Sequence, residues 1–317
     1  MTVLACDLGG RRIKLGVVAE GRVVRQSTIA AHADAPLPER LPALVEAFRT
    51  LCEQHGITFS QCRAIVIGYP SVVDVEQARI LDHFGKFGDA AAFDLRAWAR
   101  HELGLPLALE NDARLALIGE WQIGAGRGRD NVAMMTLGTG LGAAAVIRGQ
   151  PLRGAHGQCG ILGGHATVQI GGRPCVCGNV GCAEAEASTS VLPELLKSHP
   201  EFAHSPLAAH GREIGYEHVM SCAAAGDPAA QFAKDRSLQV WGAMAVNLIH
   251  AYDPELLILG GGVMGSRDVI LPAISEYVNA HAHGAWGKVD VVESQLGDHA
   301  ALLGSLWCAE GLDRNDD

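Results

Sequence analysis

Short apolar runs that end in glycine turns recur along the chain. The run VLACDL ends at Gly9 and Gly10 and is followed by IKLGVVA, whereas VAMMTL ends at Gly138-Thr139-Gly140 and is followed by LGAAAVI. Apolar runs bounded by glycine are typical of strands that enter and leave a tight turn. The similarity of these two segments is a weak internal repeat. It predicts two related units that each begin with a glycine-turned hairpin.

Helical and strand patterns alternate through the rest of the chain. LPALVEAFRTLCEQHG, DLRAWARHELG and NDARLALIGEW carry apolar residues at helical spacing, whereas CRAIVIGYP and PLALE are typical of buried strands. Helical patterns dominate the later part, which also contains the strands PELLILG and KVDVVES. This alternation predicts an α/β fold. A chain of 317 residues exceeds the size at which one hydrophobic core stops growing, so we expect two domains.

The charge balance restricts the classes of partner. The chain has 25 Lys and Arg against 35 Asp and Glu, a formal net charge of -10. Binding of nucleic acid or an anionic membrane requires clustered cations, so we expect neither partner. The start, MTVLACDLGG, has no secretion-signal pattern, and six of the nine cysteines are scattered. These features predict reduced, buried thiols and a cytoplasmic protein.

A histidine and three cysteines lie within one short, glycine-rich segment. They are His165, Cys175, Cys177 and Cys182. One imidazole and three thiolates suit tetrahedral zinc, and closed sites with four protein ligands are usually structural. The alternative is an incidental cluster of reduced cysteines.

Three glycine turns follow apolar strands, and the third is formed by residues 260–262. Glycine lets backbone N–H groups approach phosphate oxygens, so the three turns together predict a nucleotide cleft. Asp7, where the first strand meets its turn, could hold Mg²⁺ against the nucleotide phosphates. The alternatives are plain structural turns and an Asx turn at Asp7.

The segment Glu110-Asn111-Asp112 lies where a strand pattern gives way to a helix pattern. Ligands of open α/β sheets bind at such positions. A carboxylate there can accept the proton of an attacking hydroxyl, and an amide can hold a neighbouring hydroxyl. The alternative is simple helix capping.

The chain resembles the ROK family of sugar kinases and repressors, within the actin-like ATPase superfamily. The resemblance rests on five motifs in this order: DLGG, ENDA, LGTG, the zinc loop (the segment from His165 to Glu184, which ends in CxCGxxGCxE) and GGG. The resemblance covers about residues 3–307. It implies a two-domain actin-like ATPase (ribonuclease H-like) fold with a cleft between the domains. The expected bounds are 1–115 for an N-terminal α/β domain, 116–297 for a larger α/β domain with the zinc loop, and 298–317 for a C-terminal helix that packs back on the first domain.

The resemblance also implies roles for individual residues. ATP with Mg²⁺ would bind the first two turns, with adenosine near the third. The implied nucleotide-binding residues are Asp7, Gly9, Gly10, Gly138, Thr139, Gly140, Gly261 and Gly262. Arg11, beside Gly9 and Gly10, is a further candidate, because its guanidinium would meet the transferring phosphate; the alternative is an exposed arginine that points away. Asp112 would be the catalytic base. A hexose would contact Asn111, Asp112, His165 and Glu184, while structural Zn²⁺ would bind His165 and the three cysteines. The implied partners are a hexose, ATP and a second copy in a homodimer.

The chain departs from the family pattern at several positions, Arg11 and Leu162 among them. Arg11 stands where the family has threonine, and Leu162 stands where the family has a glutamate that contacts the sugar. The leading hypothesis is an ATP- and Mg²⁺-dependent, glucokinase-like hexose kinase that acts on the 6-hydroxyl. The departures motivate an alternative, a sugar sensor without turnover. A DNA-binding repressor is disfavoured because the first strand pattern begins at residue 3, with no helix-turn-helix segment before it.

Overall fold

The structure, a computed structural model, describes residues 1–285 and 287–312 and contains two five-stranded sheets. The first sheet has the order β3-β2-β1-β4-β7 and the second has the order β10-β9-β8-β11-β12. In each sheet the first three strands are antiparallel, and two parallel strands follow. The first sheet contains β1 (Thr2–Leu8), β2 (Arg12–Ala19), β3 (Arg22–Ala30), β4 (Ala64–Tyr69) and β7 (Leu107–Asn111). The second contains β8 (Val132–Leu137), β9 (Leu141–Ile147), β10 (Gln150–Pro151), β11 (Leu256–Gly260) and β12 (Asp290–Glu293).

The two sheets have the same strand order and the same directions, as the internal repeat of the sequence predicts. Each repeat begins with the hairpin around its glycine turn, β1–β2 in one sheet and β8–β9 in the other. A small ribbon of β5 (Val73–Asp74) and β6 (Arg79–Ile80) lies beside the first sheet. The fold is thus α/β.

Helices cover both sheets. They are α1 (Leu37–His55), α2 (Leu95–Glu102), α3 (Asp112–Ile123), α4 (Ala183–Ala187), α5 (Leu192–Lys197), α6 (Tyr216–Ala224), α7 (Pro228–Tyr252), α8 (Arg267–His281) and α9 (Ala300–Gly311). The amphipathic helix α1 buries Leu37, Leu44 and Phe48 against the first sheet and ends at Gly56, whose φ of 73° is left-handed. Among the described residues, no helix has both the length and the apolar character needed to cross a membrane.

Two helices, α3 and α9, lie between the sheets. Leu115 of α3 packs in a cluster with strands of the first sheet, and Leu117 packs in a cluster with strands of the second. The helices approach closely at two glycines, because a Cβ at Gly119 or Gly304 would overlap a backbone carbonyl of the other helix. Leu302 of α9 packs on the first sheet. The C-terminal helix therefore packs back on the first sheet, as expected. Residues 313–317 of the expected C-terminal segment lie outside the described residues. The domain bounds at 115 and 297 stay a prediction.

The scattered cysteines differ from one another in burial. All nine cysteines are free, and Cys6, Cys52 and Cys62 are buried as expected. Cys159, in contrast, is exposed, because it lies in the loop after β10 rather than in a strand or helix. The expectation of buried thiols is therefore wrong at that position.

Candidate active site between the two sheets

The three glycine turns meet in the cleft. A Cβ at Gly10 would lie 3.8 Å from the Thr139 methyl group, so the first and second turns face each other. Gly261 has a φ of 93°, and a Cβ there would lie 2.7 Å from the backbone nitrogen of Leu137, the residue just before the second turn. Only glycine fits such an approach without strain. The fold therefore brings together three turns that are far apart in the sequence.

A cavity of about 380 Å³ is lined by the third turn and by residues of the strands that lead into the first and second turns, Asp7 and Thr136. Asp7 and Asp112 line this cavity together with Gly260, Gly261 and Gly262 of the third turn. The segment from Glu293 to Asp298, which joins β12 to α9, contributes further lining residues. The cavity thus joins the two expected carboxylates to the turn expected to hold adenosine.

Asp7 faces a lysine across the first hairpin. The register of β1 and β2 pairs Asp7 with Lys14, and the Lys14 Nζ lies 3.8 Å from Asp7 Oδ2. Burial raises the pKa of Asp7, while the Lys14 ammonium lowers it and the Asp298 carboxylate raises it. A partly buried carboxylate of this kind provides the hard oxygen ligands that Mg²⁺ takes.

Asn111 and Asp112 have separate roles at the start of α3. Asn111 caps the helix, because its Oδ1 accepts a hydrogen bond of 3.0 Å from the Arg114 backbone N–H. Its Nδ2 donates to Asp112 Oδ1 at 3.1 Å and to the Ser71 carbonyl at 3.2 Å. Asp112 Oδ1 also accepts from the Ala113 N–H at 2.8 Å, and the carboxylate lines the cavity. The helix cap and the carboxylate that lines the cavity therefore belong to different residues.

The surroundings of Asp112 raise its pKa to about 7. Burial is the largest cause; the carboxylates of Asp7 and Glu184 also raise the pKa, while Lys86 and the Ala113 N–H lower it. A general base works best when its pKa is near the operating pH, because it is then both ionised and basic. Asp112 combines this property with a place in the cleft.

Glu184 accepts a hydrogen bond from the end of the second glycine turn. It lies on α4, and its Oε2 accepts a hydrogen bond of 2.9 Å from the Leu141 N–H, which follows Gly140. A Cβ at Gly140 would overlap this carboxylate. Glu184 therefore lies against the second turn, and its carboxylate acts electrostatically on Asp112.

The expected zinc ligands lie together. The ligand atoms of His165, Cys175, Cys177 and Cys182 are all within 4.8 Å of one another. Cys175 Sγ lies 3.4 Å from His165 Nδ1, and the Sγ atoms of Cys177 and Cys182 are 3.7 Å apart. Tetrahedral zinc with ordinary bond lengths places S and N atoms about 3.6 Å apart and two S atoms about 3.8 Å apart. These side chains fit zinc, and the agreement favours a metal site over an incidental cluster.

The cluster of His165 and the three cysteines contacts both halves of the cleft. The Phe84 ring, from the loop after β6, lies 5.1 Å from the His165 ring. Gly164 is buried, and a Cβ there would overlap the Leu141 carbonyl of β9. A metal bound by His165 would therefore rigidify a segment beside the second turn.

Arg11 and Leu162, two of the departures from the family pattern, are absent from the described residues that line the cavity. Arg11 is exposed, and the described residues that line the cavity include Lys14 but not Arg11. Leu162 is partly buried and directly precedes the short 3₁₀ turn of residues 163–165. Gly9 lies in the first turn, Gly138 in the second and Gly262 in the third, as the sequence predicts.

A buried ionic network beside Asp112 was missed by the sequence analysis. Glu110 is fully buried and accepts hydrogen bonds from Arg114 at 2.7 Å and from Arg153 at 2.6 Å. Arg114, also fully buried, donates to the carbonyls of Gly157 and Cys159 at 2.8 and 3.0 Å. The network therefore ties the end of β7 to the loop after β10. The i, i+4 rule of helices does not predict the pair of Glu110 and Arg114, because Glu110 lies on β7 and only Arg114 lies on α3.

Comparisons with known proteins match nearly the whole chain. A model described as ROK family matches residues 3–311. The glucokinase of Streptomyces coelicolor is 32% identical over 320 residues, which cover 98% of each chain. The crystal structure of a ROK family glucokinase from Streptomyces griseus, in complex with glucose and AMPPNP, has a TM-score of 0.82 at 30% identity and covers 98% of each chain. The DNA-binding transcriptional repressor Mlc of Escherichia coli is 24% identical over 295 residues, 92% of this chain and 70% of the repressor.

These similarities agree with the fold and with the order of the motifs. The neighbours have the actin-like ATPase fold, and the relatives include both hexose kinases and repressors. Because the family model spans the three glycine turns, the ENDA segment and the cysteine loop, the chain belongs to the ROK family.

Proposed function

We propose that the protein is an ATP- and Mg²⁺-dependent hexose kinase of the glucokinase type. The observation that carries this proposal is the carboxylate of Asp112, which has a pKa of about 7 and shares a cavity with Asp7 and the third glycine turn. Support also comes from glucokinase relatives at about 30% identity.

In the proposed reaction, Asp112 accepts the proton of a sugar hydroxyl, most simply the 6-hydroxyl. The oxygen forms a bond to the γ-phosphorus, the bond from that phosphorus to the bridging oxygen breaks, and ADP leaves with the electron pair. Asp7 would hold the Mg²⁺ that accompanies ATP, and this ion would offset the charge of the phosphates. The three glycine turns would offer backbone N–H groups to the phosphates and room for adenosine.

The same proposal assigns the sugar contacts to Asn111, Asp112, His165 and Glu184. Zinc at the cysteine loop would hold His165 and the neighbouring α4 in place, as groups that support a site do. We also propose that the protein forms a homodimer and that its domain boundaries lie at residues 115 and 297.

A second candidate is a sugar-binding sensor without turnover. Leu162 offers no hydrogen bond to a sugar hydroxyl, Arg11 is exposed, and the relatives include a repressor. A sensor would bind a hexose but would release no ADP.

Sugar-dependent release of ADP tests the proposal. Wild-type protein and Asp112→Asn are assayed with ATP and Mg²⁺ over a panel of aldohexoses, 2-ketohexoses and 2-substituted hexoses. We expect ADP release with at least one hexose, and a large loss in the variant. Binding of a hexose by calorimetry, without ADP release from any member of the panel, would favour the sensor.

A further inference from the structure

We propose that Glu120 is a positioning residue for the nucleoside. It fixes the segment 294–298, here called the cavity wall, and sets the separation of this wall from Asp112. The inference deepens the proposed function and rests on the cavity as its nucleotide site. It concerns a buried carboxylate that neither the motifs nor the resemblance assign to the site.

The Glu120 side chain is fully buried and accepts four hydrogen bonds. Its Oε1 accepts from the Ser294 hydroxyl and from the Leu296 N–H at 2.7 Å. Its Oε2 accepts from the Gln295 N–H at 3.2 Å and from the Ala125 N–H at 2.8 Å. Three of these four donors belong to the cavity wall. One carboxylate therefore holds both the backbone of the wall and one of its side chains.

The cavity wall contributes Ser294, Gly297 and Asp298 to the lining of the cavity. The Ser294 hydroxyl donates to Glu120 and accepts a hydrogen bond of 2.9 Å from the Gly297 N–H. A hydroxyl that donates and accepts in this way has a fixed direction. The third glycine turn, which is expected to lie near adenosine, lines the same cavity. Glu120 therefore acts through Ser294 on a surface that the nucleoside would meet.

The helix that carries Glu120 also carries the proposed base. Asp112 begins α3, and Asp112, Ala116 and Glu120 follow at intervals of four residues, so they lie along one face of the helix. Asp112 and Ala116 line the cavity, and the small alanine leaves space between the two carboxylates. Eight residues of α-helix span about 12 Å. The helix therefore acts as a spacer between the base and the cavity wall.

The number of donors explains why a carboxylate suits this position. An ionised carboxylate only accepts and has room for about four hydrogen bonds, whereas a glutamine amide has one accepting oxygen and an NH₂ group that only donates. In Glu120→Gln the NH₂ group would face two of the four donors and leave them unpaired, which is costly in a buried site. A Cβ at Gly124, the glycine that ends α3, would overlap Glu120 Oε2, so this glycine leaves room for the carboxylate. We therefore expect the cavity wall to move in the glutamine variant.

Equilibrium binding tests the inference without turnover. Calorimetry measures the affinity of the full chain for adenosine, for ATP with Mg²⁺ and for the best-binding hexose, each alone. We expect Glu120→Gln to weaken adenosine and ATP binding about 5- to 150-fold, the range for buried donors left unpaired, and to change hexose binding by less than about twofold. Ser294→Ala removes one of the four donors and should weaken adenosine and ATP binding about 2- to 10-fold, the range for one ordinary hydrogen bond.

A double variant separates positioning from general stabilisation. If Glu120 acts through the cavity wall, Glu120→Gln with Ser294→Ala should bind ATP little more weakly than Glu120→Gln alone, because both changes break the same contact. The matched control is Glu255→Gln. Glu255, just before β11, also accepts backbone hydrogen bonds, from the Asp130 and Asn131 N–H groups at 2.9 Å, and is absent from the described residues that line the cavity. The control should leave all three affinities unchanged.

Two results would overturn the inference: equal affinity of Glu120→Gln and wild type for ATP, or equal losses for ATP and the hexose, which a purely structural role predicts. If circular dichroism shows that Glu120→Gln does not fold, Ser294→Ala decides, and unchanged adenosine and ATP affinities would then overturn the inference. If the loss is found for adenosine and ATP but no hexose is phosphorylated, the proposed function fails and the role of Glu120 stands. If the wild type phosphorylates a hexose and the loss is absent, the role of Glu120 alone fails.

Discussion

Asn111 and Asp112 show how far single residues can be interpreted from the sequence. The motif alone allowed either helix capping or catalysis, and the structure assigns the cap to Asn111 while Asp112 faces the cavity. The near-neutral pKa of Asp112 was not predictable, because it depends first on burial and then on Asp7, Lys86 and Glu184 from three other segments. The type of a residue and its place in a motif can indicate a candidate base, but the pKa of that base depends on groups that only the folded chain brings together.

Replacement of Asp112 by asparagine should separate catalysis from stability. We expect Asp112→Asn to lose at least about 10²-fold in turnover, since acid–base residues contribute that much or more. The folded wild type holds the pKa of Asp112 at about 7, above its ordinary value of 3.8. Wild type therefore loses stability as pH rises between these values, and asparagine does not.

The variant should accordingly be more stable than wild type at pH 8, by about 1–4 kcal/mol, with the gain disappearing near pH 4. Chemical denaturation at both pH values measures this difference. Near-normal turnover, or a gain in stability that is the same at both pH values, would contradict the role of Asp112.

The pH dependence of kcat/KM should report the same group. Because the base works when ionised, we expect activity to rise with pH with a midpoint near 7. Lys86 lowers the pKa of Asp112, so Lys86→Gln should move this midpoint to higher pH, and Lys197→Gln should leave it in place. A wild-type midpoint near 4 would remove Asp112 as the titrating base.

Leu162 should affect the choice of sugar. An apolar side chain cannot satisfy a buried sugar hydroxyl, and an unpaired hydroxyl costs about 1–3 kcal/mol, or about 5- to 150-fold in affinity. We therefore expect a higher KM for glucose than for a hexose that differs at C1 or C2. Leu162→Glu should lower the KM for glucose, whereas Leu162→Met should not. If glucose is the best substrate and the glutamate variant is worse, Leu162 does not determine specificity.

At the scale of elements, the hairpins, their glycine turns and a shared cleft could be predicted, but the individual side-chain contacts across the cleft could not. Apolar runs locate β1, β2, β8 and β9, and the repeat indicates two similar units. In contrast, the contact of Lys14 with Asp298 joins residues 284 positions apart, and only the return of α9 to the first sheet creates it. Local patterns carry no information about such a long-range approach.

The cysteine loop is the element whose chemistry the sequence indicates most directly. We expect one zinc per chain, and Cys177→Ser should lose the metal and lower the thermal midpoint, since binding of zinc is coupled to folding of its loop. Cys222→Ser, outside the cluster, should keep both. Elemental analysis with thermal unfolding measures these effects. A folded, active preparation without zinc would rule out the structural role.

At the scale of the whole molecule, two sheets of the same topology face one cleft, with α3 and α9 between them. This arrangement brings acidic groups from both sheets to one cavity. The ROK family includes both enzymes and repressors, so the fold alone does not decide whether the protein phosphorylates a sugar or only binds it. The choice depends on the proposed chemistry at Asp112.

Phosphorus NMR of ATP mixed with protein, Mg²⁺ and the best-binding hexose tests the central claim most directly. We predict that the γ-phosphate signal of ATP is replaced by that of a hexose 6-phosphate, in equal amount to the ADP formed, and that Asp112→Asn nearly abolishes the change. Conversion to free phosphate alone, or an unchanged ATP spectrum while the hexose binds, would contradict the assignment of a hexose kinase.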